Sequence, residues 1–314
     1  MKVLVTGSDG FVGSYLVPRL IETGHAVVAG VHPAPPDDAR AKRRRYLEGA
    51  EIVALDLADD DGIRRCIREV PDAVIHLAAV SSARYAAGDP GRAWEVNAGG
   101  TARLAAALAE RAARAILLVV STGEVYGAGT SRQPRRESDP TLPVSPYAAS
   151  KLGAEIASLE VWRRTALPVI VARPFAHSGA RQGADFAVPA FAQRVLQAKK
   201  VDAVAVGVGN LEPIREYMHV SDVVDAYRLL LEHGHPGEVY NVASGQGLSL
   251  RDVFFGVVDA VGYRVIPEAD SSLVRPVDIP YLVGDATKLA AATGWRPRVS
   301  FMEMVREVVN AQAN

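Results

Sequence analysis

The chain has 314 residues, 49% apolar and 23% charged, enough to bury a sizeable core in one large or two modest domains. Its formal net charge of −1 gives no global argument for a nucleic-acid or anionic-membrane partner, and its one cysteine, Cys66, excludes an internal disulfide. No apolar stretch approaches the roughly 20 residues of a membrane helix, and the apolar run at the N-terminus is too short for a signal peptide, so a cytoplasmic protein is expected.

In chain order, Val3-Leu4-Val5 reads as a strand that leads into a helix beginning near Gly10. Further strands are predicted at His25–Val31, Glu51–Leu55, Ala73–Leu77, Ala115–Val120 and Val169–Ala172, with helical patterns between most of them. Apolar strands buried on both faces and alternating with helices predict an α/β fold with a doubly wound parallel sheet. The second half is less regular. Helices are predicted at Val188–Ala198, Val220–Glu232, Leu250–Val261 and Phe301–Ala311, and a strand at Glu238–Val242. The expected division is a Rossmann domain of residues 1–174 plus about 216–243, and a smaller α/β substrate domain of about 175–215 and 244–314. Two helices, Thr101–Ala113 and the one holding Tyr147 to Lys151, carry small apolar residues over more than one face and must be covered. Either the sheet or a second copy covers them; a homodimer through these helices is expected.

Gly7, Gly10 and Gly13 form G-x-x-G-x-x-G where the first strand meets the first helix. Glycines there permit a tight turn and close approach of a pyrophosphate to the helix N-terminus. The second strand ends Gly30-Val31-His32-Pro33, without the acid that hydrogen-bonds the adenosine ribose of NAD, and basic residues follow at Arg40 and Lys42–Arg45. NADP(H) is therefore favoured over NAD(H), the alternative being a solvated basic loop. Asp56-Leu57 follows the third strand, where Asp56 either meets the adenine edge or caps the next helix.

Tyr147 and Lys151 stand one helical turn apart, on one face. An ammonium beside a phenol favours the phenolate and lowers a pKa normally near 10, giving a proton donor or acceptor for a carbonyl or alcohol. No His, Cys, Asp or Glu cluster has metal-ligand spacing, and basic and aromatic residues do not interleave as in nucleic-acid binders.

Taken in order, Thr6-Gly7-x-x-Gly10-x-x-Gly13, Asp56-Leu57, His76-Leu77-Ala78-Ala79, Val96-Asn97, Ser121-Thr122, Tyr147-x-x-x-Lys151 and Arg173-Pro174 resemble the extended short-chain dehydrogenases/reductases over nearly the whole chain. The resemblance implies Tyr147 as catalytic acid/base, Lys151 as its pKa-lowering partner and holder of the nicotinamide ribose, and Thr122 as the hydroxyl on the reacting oxygen. It also implies cofactor contacts from Gly7, Gly10, Phe11, Val12, Gly13, His32, Asp56, Leu57, Leu77, Ala78, Ala79, Asn97, Tyr147, Lys151 and Arg173.

The second half is similar to the members that act on GDP-linked sugars, through Gly209-Asn210-Leu211 with Arg215-Glu216, Arg173-Pro174-Phe175-Ala176-His177-Ser178-Gly179, and Arg275-Pro276-Val277-Asp278 followed by Gly284-Asp285. Arg215 and Arg275 are guanidinium forks suited to a diphosphate, and Asp278 could accept from a ribose hydroxyl. A surface salt bridge is the alternative for each arginine. The substrate contacts implied are Thr122, Glu124, His177, Val188, Asn210, Leu211, Arg215, Arg275 and Asp278. Chain length and the short run Gly183–Pro189 fit the reductases of GDP-4-keto-6-deoxy sugars better than the longer GDP-mannose 4,6-dehydratases. Ala176 departs from the pattern, which has Asn there. Glu124 is the acid that removes a proton in the dehydratases, and Gly123 replaces a polar residue beside it. The expectation is an NADPH-dependent reductase acting at carbon 4. The alternatives are a dehydratase or 4-epimerase of the same superfamily, or a dinucleotide-sensing regulatory protein, against which the intact Thr122, Tyr147 and Lys151 argue.

Overall fold

The computed structural model describes residues 1–129, 132–274 and 278–313. Its first half runs β1 Lys2–Thr6, α1 Gly13–Glu22, β2 Ala26–Val31, α2 Asp38–Arg43, β3 Glu51–Ala54, α3 Asp60–Cys66, β4 Ala73–His76, α4 Ala83–Gly88, α5 Pro90–Trp94, α6 Gly100–Arg111, β5 Ile116–Val120, α7 Pro146–Thr165 and β6 Val169–Pro174. The remainder runs β7 His177–Ser178, α8 Ala187–Lys200, β8 Ala205–Val208, β9 Ile214–Arg215, β10 Met218–His219, α9 Val220–His233, β11 Val239–Val242, β12 Leu248–Ser249, α10 Leu250–Val261, β13 Ile266–Ala269, β14 Tyr281–Leu282, α11 Thr287–Thr293 and α12 Phe301–Ala313.

Seven strands form one parallel sheet in the order β11-β6-β5-β4-β1-β2-β3. The central strands are buried on both faces, so each side chain of β4 and nearly every one of β1, β5 and β6 is shielded. That is why their sequences are continuous apolar runs rather than alternating ones. One face packs on α1 and α9 through Leu16, Val17, Leu20, Val223, Tyr227 and Leu230. The other packs on α3, α6 and α7 through Ile63, Leu104, Leu108 and Val161. A separate core joins α8, α10 and α12 through Phe191, Val195, Phe254, Val257, Met304 and Val308, with Phe191 edge-on to Phe254. Among the described residues no helix is long and apolar enough to cross a membrane.

Local signals explain where the important helices start. Ser145 caps α7 by accepting from the Ala148 N–H at 3.1 Å, with Pro146 in the first turn, where its missing N–H costs nothing. Ser249 and Asp252 form a reciprocal capping box at α10. The first helix begins at Gly13 rather than near Gly10, because Gly7 to Gly10 closes a turn in which the Gly10 N–H donates to the Gly7 carbonyl at 3.0 Å. The basic run after Pro36 is not an open loop. Asp37 caps α2 by accepting from the Arg40 N–H at 2.7 Å, and a further helical turn spans Arg44–Leu47.

Candidate active site at the carboxyl edge of the sheet

A parallel sheet sends all its strand C-termini to one edge. Strand order reverses between β1 and β4, so a crevice opens there, flanked by the glycine turn after β1 and by Leu77, Ala78 and Ala79 after β4. Gly7 has φ +69°, and a Cβ on it would lie 2.9 Å from the Ala78 nitrogen. A Cβ on Gly13 would lie 2.4 Å from the Ser8 carbonyl oxygen. Both glycines are thus dictated by space, and the turn they form leads into the N-terminus of α1, the fit a pyrophosphate needs. Phe11 and Val12 complete the turn, and the Phe11 ring stacks on His177 at 6.1 Å and 12°.

At the far end of the crevice, His32 Nε2 stands 3.6 Å from Asp56 Oδ2. Asp56 also accepts from the Ala58 N–H at 2.9 Å, and it does not cap the following helix. Asp59 does that, accepting from the Asp61 N–H at 3.0 Å. Leu57 is buried and packs beneath Gly100, so its side chain supports the crevice from below.

A buried chain of hydrogen bonds ties the crevice to the helices behind it. The Ala78 N–H donates to Thr6 Oγ1 at 3.0 Å, and Thr6 Oγ1 meets His76 Nδ1 at 2.8 Å. His76 Nε2 meets Thr101 Oγ1 at 3.0 Å, and that hydroxyl donates to the Asn97 carbonyl at 2.6 Å. Thr101 gives its only proton to Asn97, so His76 must donate from Nε2 and accept at Nδ1. Burial, with Lys151 adding to it, pushes His76 down to about 3, so the ring is neutral. Asn97 continues the network. Its amide is occupied by both backbone groups of Val80 and by Ser150 Oγ at 2.9 Å, so it positions the β4 loop against α7.

Thr122 follows β5, and Tyr147 and Lys151 project from the first turns of α7. The Tyr147 phenol lies near enough to Thr122 and Glu124 for both to act on its ionisation. Thr122 Oγ1 also accepts from the Glu124 N–H at 3.2 Å. Burial first, and Glu124 second, push the Tyr147 phenol above its ordinary value; Thr122 opposes them. This reverses the direction expected from helical spacing alone. Lys151 is itself buried, and burial pushes its ammonium down to about 8 against the pull of Glu155. Gly123 between Thr122 and Glu124 has a spatial cause: a Cβ there would stand 2.9 Å from the Phe175 ring.

Behind Lys151 lies a group that sequence reasoning missed. Glu155 is 2% exposed and holds Arg173 through both carboxylate oxygens, with a closest approach of 2.6 Å. It also accepts from Ser121 Oγ. Arg173 Nη1 donates to Tyr126 Oη at 2.9 Å, which in turn donates to Asn241 Oδ1 at 2.7 Å. The Arg173 guanidinium is therefore committed to internal partners. The signal for Glu155 lay in its register, four residues beyond Lys151 on the same helical face.

Residues of the second half separate into two groups. Arg215 and Asp278 come together, with Arg215 Nη2 donating to Asp278 Oδ1 at 2.8 Å. His177 is half-buried beside Phe11, its Nδ1 donating to the Phe175 carbonyl at 2.9 Å, and burial lowers its pKa. Val188 and Leu211, in contrast, are buried within the α8–α10–α12 core. Asn210 turns its side chain back to accept from the Glu212 N–H at 3.1 Å. Arg275 lies outside the described residues. Glu216 is fully buried and binds Ser244 through its N–H and hydroxyl, Gly245 N–H at 3.3 Å and Gly284 N–H at 2.6 Å. Burial pushes it up to about 7 while those hydrogen bonds pull it down. It pins β9 and β10 to the loops after β11 and β14. A cavity of about 880 Å³ lined by Arg135, Arg136, Ser244, Asp285 and Trp295 shares no residue with the Thr122–Tyr147–Lys151 set. The chemistry is assigned to the crevice because the titratable groups converge there.

Comparison with known proteins agrees with this geometry. The family described as GDP-mannose 4,6 dehydratase matches residues 4–308. The chain is 32% identical to the GDP-6-deoxy-D-mannose reductase of Pseudomonas aeruginosa, covering 98% of this chain and 96% of the relative. A solved structure of RMD from Pseudomonas aeruginosa complexed with NADPH superposes with a TM-score of 0.85 at 31% identity, covering 99% of this chain and 98% of the other. The Thermus thermophilus UDP-glucose 4-epimerase in complex with NAD superposes with a TM-score of 0.87 at 31% identity, over 99% of both chains. With its glycine turn, its Thr122–Tyr147–Lys151 set and these matches, the chain belongs to the GDP-mannose 4,6-dehydratase family of extended short-chain dehydrogenases/reductases, NAD(P)-dependent enzymes of nucleotide-sugar metabolism.

Proposed function

We propose that the chain is an NADPH-dependent reductase of a GDP-linked 4-keto-6-deoxy sugar. The observation that carries this reading is the Thr122–Tyr147–Lys151 set at the carboxyl edge of the sheet in a chain 32% identical, over 98% of its length, to the Pseudomonas reductase. Carbonyl reduction needs the phenol as donor, whereas alcohol oxidation needs the phenolate. A bound nicotinamide supplies the hydride. Thr122 fixes the carbonyl oxygen, Tyr147 gives its proton to the developing alkoxide, and the Lys151 ammonium stabilises the negative charge left on the phenol. The paired Arg215 and Asp278 are the candidates for the diphosphate and ribose of the substrate. The resemblance to the Pseudomonas reductase supports the GDP-sugar, and Arg40, Arg43 and Arg44 at the end of β2 support the 2′-phosphate of NADP. Incubation with NADPH and enzymatically made GDP-4-keto-6-deoxy-mannose should discharge the nicotinamide absorbance.

Glu124 gives the second reading its one specific support, because its charge acts on Tyr147, as a dehydratase base beside the sugar would. Water loss from GDP-mannose, with no NADPH oxidation by the keto sugar, would sink the reductase in favour of that dehydratase.

The pH dependence follows from Lys151. A lysine lowered to about 8 is charged below that pH and neutral above it. kcat/KM should therefore fall as pH rises through about 8, and Glu155→Gln should move that limb to lower pH by removing the carboxylate that favours the ammonium. A flat profile from pH 7 to 9 would contradict the assignment.

We further propose a cytoplasmic homodimer assembled through α6 and α7. Ile156 on the outer face of α7 is 62% exposed, and Trp94 beside that helix is 47% exposed, which leaves an apolar surface for a second copy. Sedimentation velocity should show a dimer that Ile156→Glu dissociates; a monomeric parent chain would rule it out.

A further inference from the structure

Asp9, between Gly7 and Gly10, has a carboxylate only 4% exposed. Arg40 Nη2 donates to its Oδ2 at 2.9 Å and Arg40 Nε at 3.2 Å, while Arg44 Nε donates to the same oxygen at 3.3 Å. Arg43 Nε donates to the Asp9 main-chain carbonyl at 2.9 Å. Arg40 also reaches the His32 carbonyl at 3.5 Å, which fixes the cluster at the end of β2. In a doubly wound sheet that is where the adenosine ribose of a dinucleotide lies. Two guanidiniums on one carboxylate, with a third on its main-chain carbonyl, leave a net positive charge, and the resident anion occupies part of the donor set that a 2′-phosphate would use.

We propose that Asp9 is the residue that sets 2′-phosphate discrimination, acting as a built-in competing anion for Arg40 and Arg44. This rests on the dinucleotide reading of the crevice and not on the identity of the sugar. A 2′-phosphate must share or displace the Asp9 contacts and suffers the repulsion of its charge; the bare ribose hydroxyls of NAD do neither. Asp9 therefore narrows the preference that the arginines create. The arginines are gathered by Asp9 at short range, and an amide in its place keeps an acceptor oxygen for them while removing the charge.

The test is direct binding of NADPH and NADH, followed by nicotinamide fluorescence without any sugar. Asp9→Asn should bind NADPH about tenfold more tightly, from the loss of one unit charge a few ångströms from a dianion, and NADH within about threefold of the parent chain. Arg40→Gln should weaken NADPH by about tenfold and leave NADH unchanged, and it keeps the proposal testable should Asp9→Asn fold poorly. An unchanged NADPH-to-NADH ratio in Asp9→Asn, weaker NADPH binding there, or an indifferent Arg40→Gln would overturn the inference alone. A parent chain that binds neither dinucleotide would overturn it together with the dinucleotide reading. Failure of the GDP-sugar assay leaves the binding readout intact, so the two failures are distinguishable.

Discussion

Tyr147→Phe is expected to lower turnover by about 10²- to 10⁴-fold while dinucleotide affinity stays within about twofold of the parent chain. The size follows from what the hydroxyl does. In the proposed reduction it is the proton donor, and the substitution removes that proton with little change in ring volume. Nearby hydroxyls do not replace it. Thr122 is a far weaker acid, and the Tyr126 hydroxyl is committed to Asn241 and Arg173 within the buried network. The glycine turn, Ala78 and the His76 chain are untouched, so the dinucleotide crevice keeps its shape. Single-turnover rates set beside a binding isotherm separate the two quantities. A loss below tenfold would move the proton-donor role away from Tyr147.

The second large effect is on stability. Arg173→Met should cost about 3–5 kcal/mol, a large share of the total stability of an ordinary domain, because it strands Glu155 in a site 2% exposed. The carboxylate would keep only Ser121 and the charge of Lys151 as compensation. Urea denaturation followed by circular dichroism gives the number, and a loss under about 1 kcal/mol would mean that the pair adds little. Replacing both partners, as in Arg173→Met with Glu155→Leu, should recover much of the loss, because an apolar pair of similar volume leaves no unpaired charge. That recovery should not extend to catalysis. Lys151 would lack the carboxylate that holds its pKa up, and the ammonium would be lost at lower pH.

The central part of the sheet was legible in the sequence because its strands are buried on both faces, so β1, β2, β4, β5 and β6 each contain a continuous apolar run. The glycine turn was legible because close approach to Ala78 admits no other residue at position 7. Helix α2 was not: it buries no residue, and its charged run gives no periodic apolar signal. Asp9 was hidden for a different reason. A lone acid between two glycines looks like turn chemistry, and its partners lie some thirty positions further on. The ion pair of Arg173 was hidden because a motif does not say where a guanidinium points; the carboxylate it faces sits on another element. The Tyr147 phenol went the wrong way because helical spacing fixes direction along one face and says nothing of burial, and burial is the larger influence here. Val188 and Leu211 look like any apolar residue near a site until α10 and α12 are seen to pack over them.

The order of strands in the sheet bears on how the chain is made. Strand β11 is the outermost neighbour of β6, yet between them the chain must produce α8, four short strands and α9. During synthesis β6 therefore emerges long before its partner and presents an open hydrogen-bonding edge flanked by apolar side chains. Pairing of this kind, across a long stretch of sequence, is slow because loop closure precedes any gain from contact. The period between the appearance of Pro174 and of Val239 is when the nascent chain is most open to wrong strand pairing, and a chaperone that shields a single strand edge would act there.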